Sequence, residues 1–153
     1  MKKKIAALLL AVLLMAMIVS CGGDVEIDLT ALRKELLESN ILEDELVSLP
    51  QDIIPTEAEI DSALYISAEY WKGSGVTAEE IGLFMCGSSQ DAKALEKQLI
   101  EHRDSLYNTY AAYKQEALPR ISAAVIRTRG SYVVFVTAQD YKQAEIIVDK
   151  YFK

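Results

Sequence analysis

The chain has 153 residues with 23 acidic and 16 basic side chains, a formal net charge of −7, one His and two Cys. The acidic excess argues against a nucleic-acid partner, whose phosphates would have to be neutralised by Lys and Arg. A single His with acids in no ligand spacing argues against a zinc centre, so no metal or cofactor is expected.

Lys2, Lys3 and Lys4 precede an unbroken apolar run from Ile5 to Val19, the charged-then-apolar order of an export signal. The run is short for a permanent span, which needs roughly 18 or more apolar residues. Ile18-Val19-Ser20-Cys21 resembles the lipobox of bacterial lipoproteins. That resemblance implies a diacylglycerol on the Cys21 thiol and cleavage before it; the alternative is a plain signal peptide with Cys21 incidental. The expected organisation is a signal over 1–20, a lipidated Cys21 with a short tether over 21–27 containing Gly22-Gly23-Asp24, and one domain over 28–153. Removing the signal leaves 13 basic against 23 acidic residues, a formal charge of −10. About 130 residues suffice to bury one core without staples. With Cys21 alkylated only Cys86 remains, so no intramolecular disulfide is expected.

Leu29, Leu32 and Leu36 behind Asp28, with Asn40 as a stop, predict an amphipathic helix over 28–39. The stretch 48–55, with two prolines, reads as irregular. Thr56-Glu57-Ala58-Glu59 has capping-box spacing and predicts a short helix to Leu64. The runs 68–72 and 80–86 flank Gly73-Ser74-Gly75 and predict a hairpin with a long turn. A helix starting at Thr77-Ala78-Glu79-Glu80 is the alternative there.

Apolar residues recurring from Ala92 to Tyr113 behind Ser88 predict one long helix over 89–113. The runs 121–129 and 132–138 around Gly130-Ser131 predict a tight hairpin, and Asp140 with Gln143 caps a last helix. The expected fold class is α+β: two small N-terminal helices, then β-β-α-β-β-α, with a four-stranded antiparallel sheet covered by helices.

Few residues invite chemistry. His102 shares the apolar stripe of Leu99 and Leu106, and Cys86 ends an apolar run. Both read as structural, each substitution costing on the order of 1 kcal/mol. Glu79 and Glu80 would face opposite sides of a strand and cannot share a substrate, so they read as exposed edge charge. No catalytic residue is assigned. Tyr70 and Trp71, beside the glycine-rich turn, are the candidates for partner contact; the alternative places one in the core and the other over the sheet edge.

From about Leu29 to Phe152 the sequence is similar to a family of bacterial lipoproteins carrying the domain of unknown function DUF4358. The likeness rests on Leu64-Tyr65, Ala78-Glu79-Glu80-Ile81, Arg103 with Tyr113, and Gly130-Ser131-Tyr132-Val133-Val134. It implies an address and a fold, and transfers no activity or ligand. The expectation is a non-catalytic domain on the extracytoplasmic face of the cell membrane, held by its lipid and binding an envelope protein or peptide. The alternatives are a carboxylate-based enzyme on a cell-wall or peptide substrate, marked by a cleft gathering two acids, and a small-ligand binder with a deep apolar pocket.

Overall fold

The computed structural model describes residues 25–153. The predicted signal, Cys21 and the residues 22–24 lie outside the described residues. Helix α1, Leu29–Glu38, starts where Asp28 accepts a hydrogen bond from the Ala31 N–H, and Asn40 turns left-handed just beyond it at φ 54°. The expected second helix is reduced to a single turn, α2, Ile54–Glu57, and a 3-10 turn, Ser62–Leu64. Pro55 falls in the first turn of α2, where its fixed φ suits a helix start, so Thr56 lies inside and caps nothing.

Two hairpins follow as predicted, β2 (Tyr65–Lys72) with β3 (Glu80–Cys86) and β4 (Val125–Arg129) with β5 (Tyr132–Thr137). The helix alternative at 77–80 does not form, since Ala78 is left-handed at φ 59° and sets the chain into β3. Between the hairpins runs α3, Ser89–Tyr113, capped by Ser88 accepting from the Asp91 N–H. Residues 118–122, partly expected as strand, form α4 (Leu118–Ser122) with Pro119 in its first turn. Helix α5, Tyr141–Phe152, begins at the Asp140 cap on the Gln143 N–H.

The sheet has five antiparallel strands rather than four, in the order β1-β2-β3-β5-β4. The extra one, β1 (Val47–Ser48), pairs two residues with Lys72 and Trp71 and is too short to carry an alternating pattern. Both faces of the sheet are covered. Trp71, Ile81, Val136 and Val125 form one row across four strands and pack with Leu32 and Leu36 of α1 and Ile147 and Val148 of α5. Tyr70, Phe84, Val133 and Phe135 line the opposite face and pack with Leu95 and Leu99 of α3. Of the described helices, none is long and apolar enough to cross a membrane.

Gly82 sits opposite Tyr70 in the register, and a Cβ there would come within 2.8 Å of both the Tyr70 and Phe84 rings. Its missing side chain lets the Tyr70 ring lie flat along β3. Gly82→Ala is therefore expected to lower stability by about 1–3 kcal/mol through overpacking, read as a fall in the denaturation midpoint.

Candidate functional site

Two adjacent acids, Glu79 just before β3 and Glu80 its first residue, send their side chains toward opposite sides of the sheet. Both are 1 % exposed. The expectation of exposed edge charge is thus overturned, and the reason is the fold: Glu80 starts a strand inside a sheet covered on both faces, and the loops at 43–44 and 139 close over Glu79.

Glu79 serves as a junction for loops. Its carboxylate accepts the backbone N–H groups of Glu43 at 2.9 Å, Asp44 at 2.8 Å and Gln139 at 2.7 Å. Arg120, also buried, places Nη1 3.5 Å from Glu79 and donates through Nη2 to Glu43 at 2.7 Å and to Gln139. Next to it, Asp44 accepts from the Ser74 N–H and hydroxyl at 2.7 and 2.6 Å, bonds that hold its carboxyl below the usual carboxylate range.

Glu80 turns toward α3. Tyr70 donates its hydroxyl to Glu80 Oε2 at 2.6 Å, and His102 Nε2 lies 2.8 Å from the same oxygen. Lys72, the cross-strand neighbour of Glu80, brings Nζ to 3.3 Å from Oε1 and also donates to Glu57 at 3.0 Å. His102 Nδ1 faces the exposed Glu59 at 3.4 Å, so the imidazole bridges a buried carboxylate and a surface one. The Glu80 N–H bonds the Thr137 hydroxyl at 2.8 Å, and that hydroxyl donates to the Ala78 carbonyl at 2.6 Å.

Burial on its own would raise the Glu80 carboxyl, but the hydrogen bond and charge of His102, with Lys72 and Tyr70, outweigh it and hold the group below its ordinary value. Burial, then the Glu80 charge, pushes the Tyr70 phenol well above its ordinary value, which keeps it a donor. Burial draws Lys72 down, and Glu80 and Glu57 more than restore it, so its ammonium persists to higher pH than usual.

Tyr70 and Trp71, expected as contact candidates, are both buried. They sit on opposite faces of β2, one bonded to Glu80 and packed under α3, the other in the layer beneath α1 and α5. Neither presents a side chain to a partner. Cys86 is buried, and burial with the Asp91 charge pushes its thiol up to about 11.

An open groove of about 550 Å³ runs beside the start of α1 and is lined by Glu26, Asp28, Glu69, Met85 and Tyr132 among others. A recess of about 240 Å³ at the opposite end of the sheet is bordered by Glu43, Val76, Lys114, Glu116 and Arg120. Neither reaches Glu80 or His102, and both have charged rims rather than the deep apolar lining of a small-ligand pocket. Among the described residues, no three His, Cys, Asp or Glu side chains are grouped so as to hold a metal ion.

A family model described as Domain of unknown function (DUF4358) matches residues 49–138, more than half of the chain. The match takes in β2 to β5 and α3, including both buried acids, and leaves α1 and α5 outside. No curated protein and no solved structure matches the chain.

Removing one member of the buried pair leaves the other short of a partner, though Glu80 keeps Tyr70 and Lys72 and His102 keeps Glu59, so Glu80→Ala and His102→Ala should each cost about 1–3 kcal/mol, at or above the roughly 1 kcal/mol that packing logic alone assigns to His102. The double variant should cost less than their sum, as read by chemical denaturation. The depressed Glu80 carboxyl stabilises the fold fully above its ordinary value of 4.5 and loses that contribution as pH falls through its lower folded value. Glu80→Gln should therefore flatten the acid limb of stability, below the ordinary carboxyl value of 4.5. Native Cys86 should resist alkylation at neutral pH and react on unfolding, which mass spectrometry with and without denaturant reads directly.

Proposed function

The chain belongs to the DUF4358 family, and from that premise we propose that it is a lipid-anchored, extracytoplasmic domain that acts by binding an envelope protein or peptide rather than by catalysis. One observation carries the second half of this reading: the groups best suited to acid–base work are satisfied by one another. Glu80 receives Tyr70, His102 and Lys72, and Glu79 receives three backbone N–H groups. A general acid or base needs hydrogen-bond reach to a substrate proton, and both acids lie under packed helices and loops.

The anchored half of the reading rests on the leader and on Ser20-Cys21. Two acyl chains hold a protein on a membrane stably, so no further membrane contact is required of the domain. The acidic surface left after signal removal favours a partner met through specific contacts over broad adhesion to anionic lipid.

The alternative of carboxylate catalysis finds one point in its favour, the His102 bridge between Glu80 and the exposed Glu59. Cross-linking in the native envelope separates the two. A specific protein should be captured by the wild-type chain and still be captured by Glu59→Gln; loss of cellular function in Glu59→Gln with an unchanged melting curve would favour the enzyme. Cys21→Ala should shift the protein out of the membrane fraction without changing its melting curve, and equal membrane retention would remove the anchor.

A further inference from the structure

The first described residue, Val25, has a fixed place at one end of the sheet. A methyl on Gly130 in the β4–β5 turn would come 3.3 Å from the Val25 Cβ, and the neighbouring Ser131 carbonyl accepts the Cys86 N–H at 2.7 Å. The same end therefore carries the exit of β3 and, through Gly87-Ser88, the start of α3. The β2–β3 loop stands at the other end, where Tyr110 near the close of α3 donates to the Gly75 carbonyl at 2.7 Å. A seven-residue strand separates the two ends by about 20 Å, and the 25 residues of α3 extend over about 37 Å.

The chain from Cys21 to Val25 reaches at most about 14 Å. If Cys21 carries lipid, the end holding Gly130 must stay within that distance of the headgroups, and an inverted domain is out of reach. The geometry points to a defined stance: the Gly130 end is the surface that faces the phospholipid bilayer, and the β2–β3 loop with the 240 Å³ recess is turned away from it. This rests on the lipid-anchor reading above.

The exposed turn residues Gly87-Ser88-Ser89-Gln90 and Gly130 at the near end are uncharged, while Glu26, Asp28 and Arg129 are also exposed there, so both ends carry acidic side chains and the tether, not charge, sets the stance. The far end exposes Glu43, Glu45 and Glu116, which such a layer repels over a Debye length of about 8–10 Å. The stance therefore rests on the short reach from Cys21 to a Val25 fixed beside Gly130.

The test uses the full chain, purified from the membrane fraction with its lipid and reconstituted into vesicles of phosphatidylethanolamine and phosphatidylglycerol carrying a headgroup energy acceptor. Donor dyes are placed singly through Gln90→Cys at the near end and Val76→Cys at the far end, Cys86 being buried and unreactive. We expect the Gln90 position to be quenched several-fold more strongly than the Val76 position. Equal quenching, or stronger quenching at Val76, would overturn the stance while the anchor stands. A Cys21 found unlipidated by mass spectrometry, or protein that fails to float with vesicles, would overturn the anchor reading and the stance with it.

Discussion

Glu80 sits between the centre of the sheet and α3, where an unpaired carboxylate would cost several kcal/mol in lost hydration. Everything nearest to it offsets that cost. Tyr70 and Lys72 come from β2, His102 from α3, and the Thr137 hydroxyl of β5 takes its backbone N–H. One residue, through its side chain and its backbone N–H, thus makes β2, β3, β5 and α3 depend on a single geometry. Cutting any strand free would leave charge or donors buried without partners, which is costlier than losing an apolar contact of the same size.

Glu79 performs the complementary task on the other side of the strand. Loops at residues 43–44 and 139 contribute N–H groups that have no partner in the sheet, and the carboxylate gathers them with Arg120. The left-handed backbone of Ala78 directs the chain so that the two acids reach these opposite targets. Holding a non-glycine residue there costs of order 1–3 kcal/mol, and the bonds on both sides sustain it.

Much of the fold was legible because its signals are local. Asp28, Ser88 and Asp140 cap helices where a short polar side chain precedes an apolar period, and Gly130 marks a tight turn with its positive φ. What was missed depends on partners distant in sequence. The two residues of β1 become a strand only because β2 is beside them, and Pro55 and Pro119 start helical turns where periodicity suggests something else. The burial of Glu79 and Glu80 had a readable sign. Ile81-Gly82-Leu83-Phe84-Met85-Cys86 is apolar on both alternate sets, the mark of a strand covered on two faces, and charges at its mouth then have to be inside. Trp71 and Tyr70 belong to the same lesson, since neighbours on such a strand are both core.

The near-continuous apolar character of β3 also explains what a buried ionic cluster contributes to the fold itself. Register is well specified when one face is apolar and the other polar, because a one-residue slip exposes the core. With both faces of β3 apolar, that discrimination weakens. A slip of β2 by two residues would keep every side chain on its own face, yet it would bring the Tyr70 ring from Gly82 to a neighbour in the alternate set, Glu80 or Phe84. Opposite Phe84 the ring meets another ring, and in either direction Lys72 leaves its place opposite Glu80. The missing Cβ at Gly82, the phenol, the ammonium and the imidazole are each satisfied in one alignment, so the polar cluster supplies the specificity that hydrophobic patterning cannot.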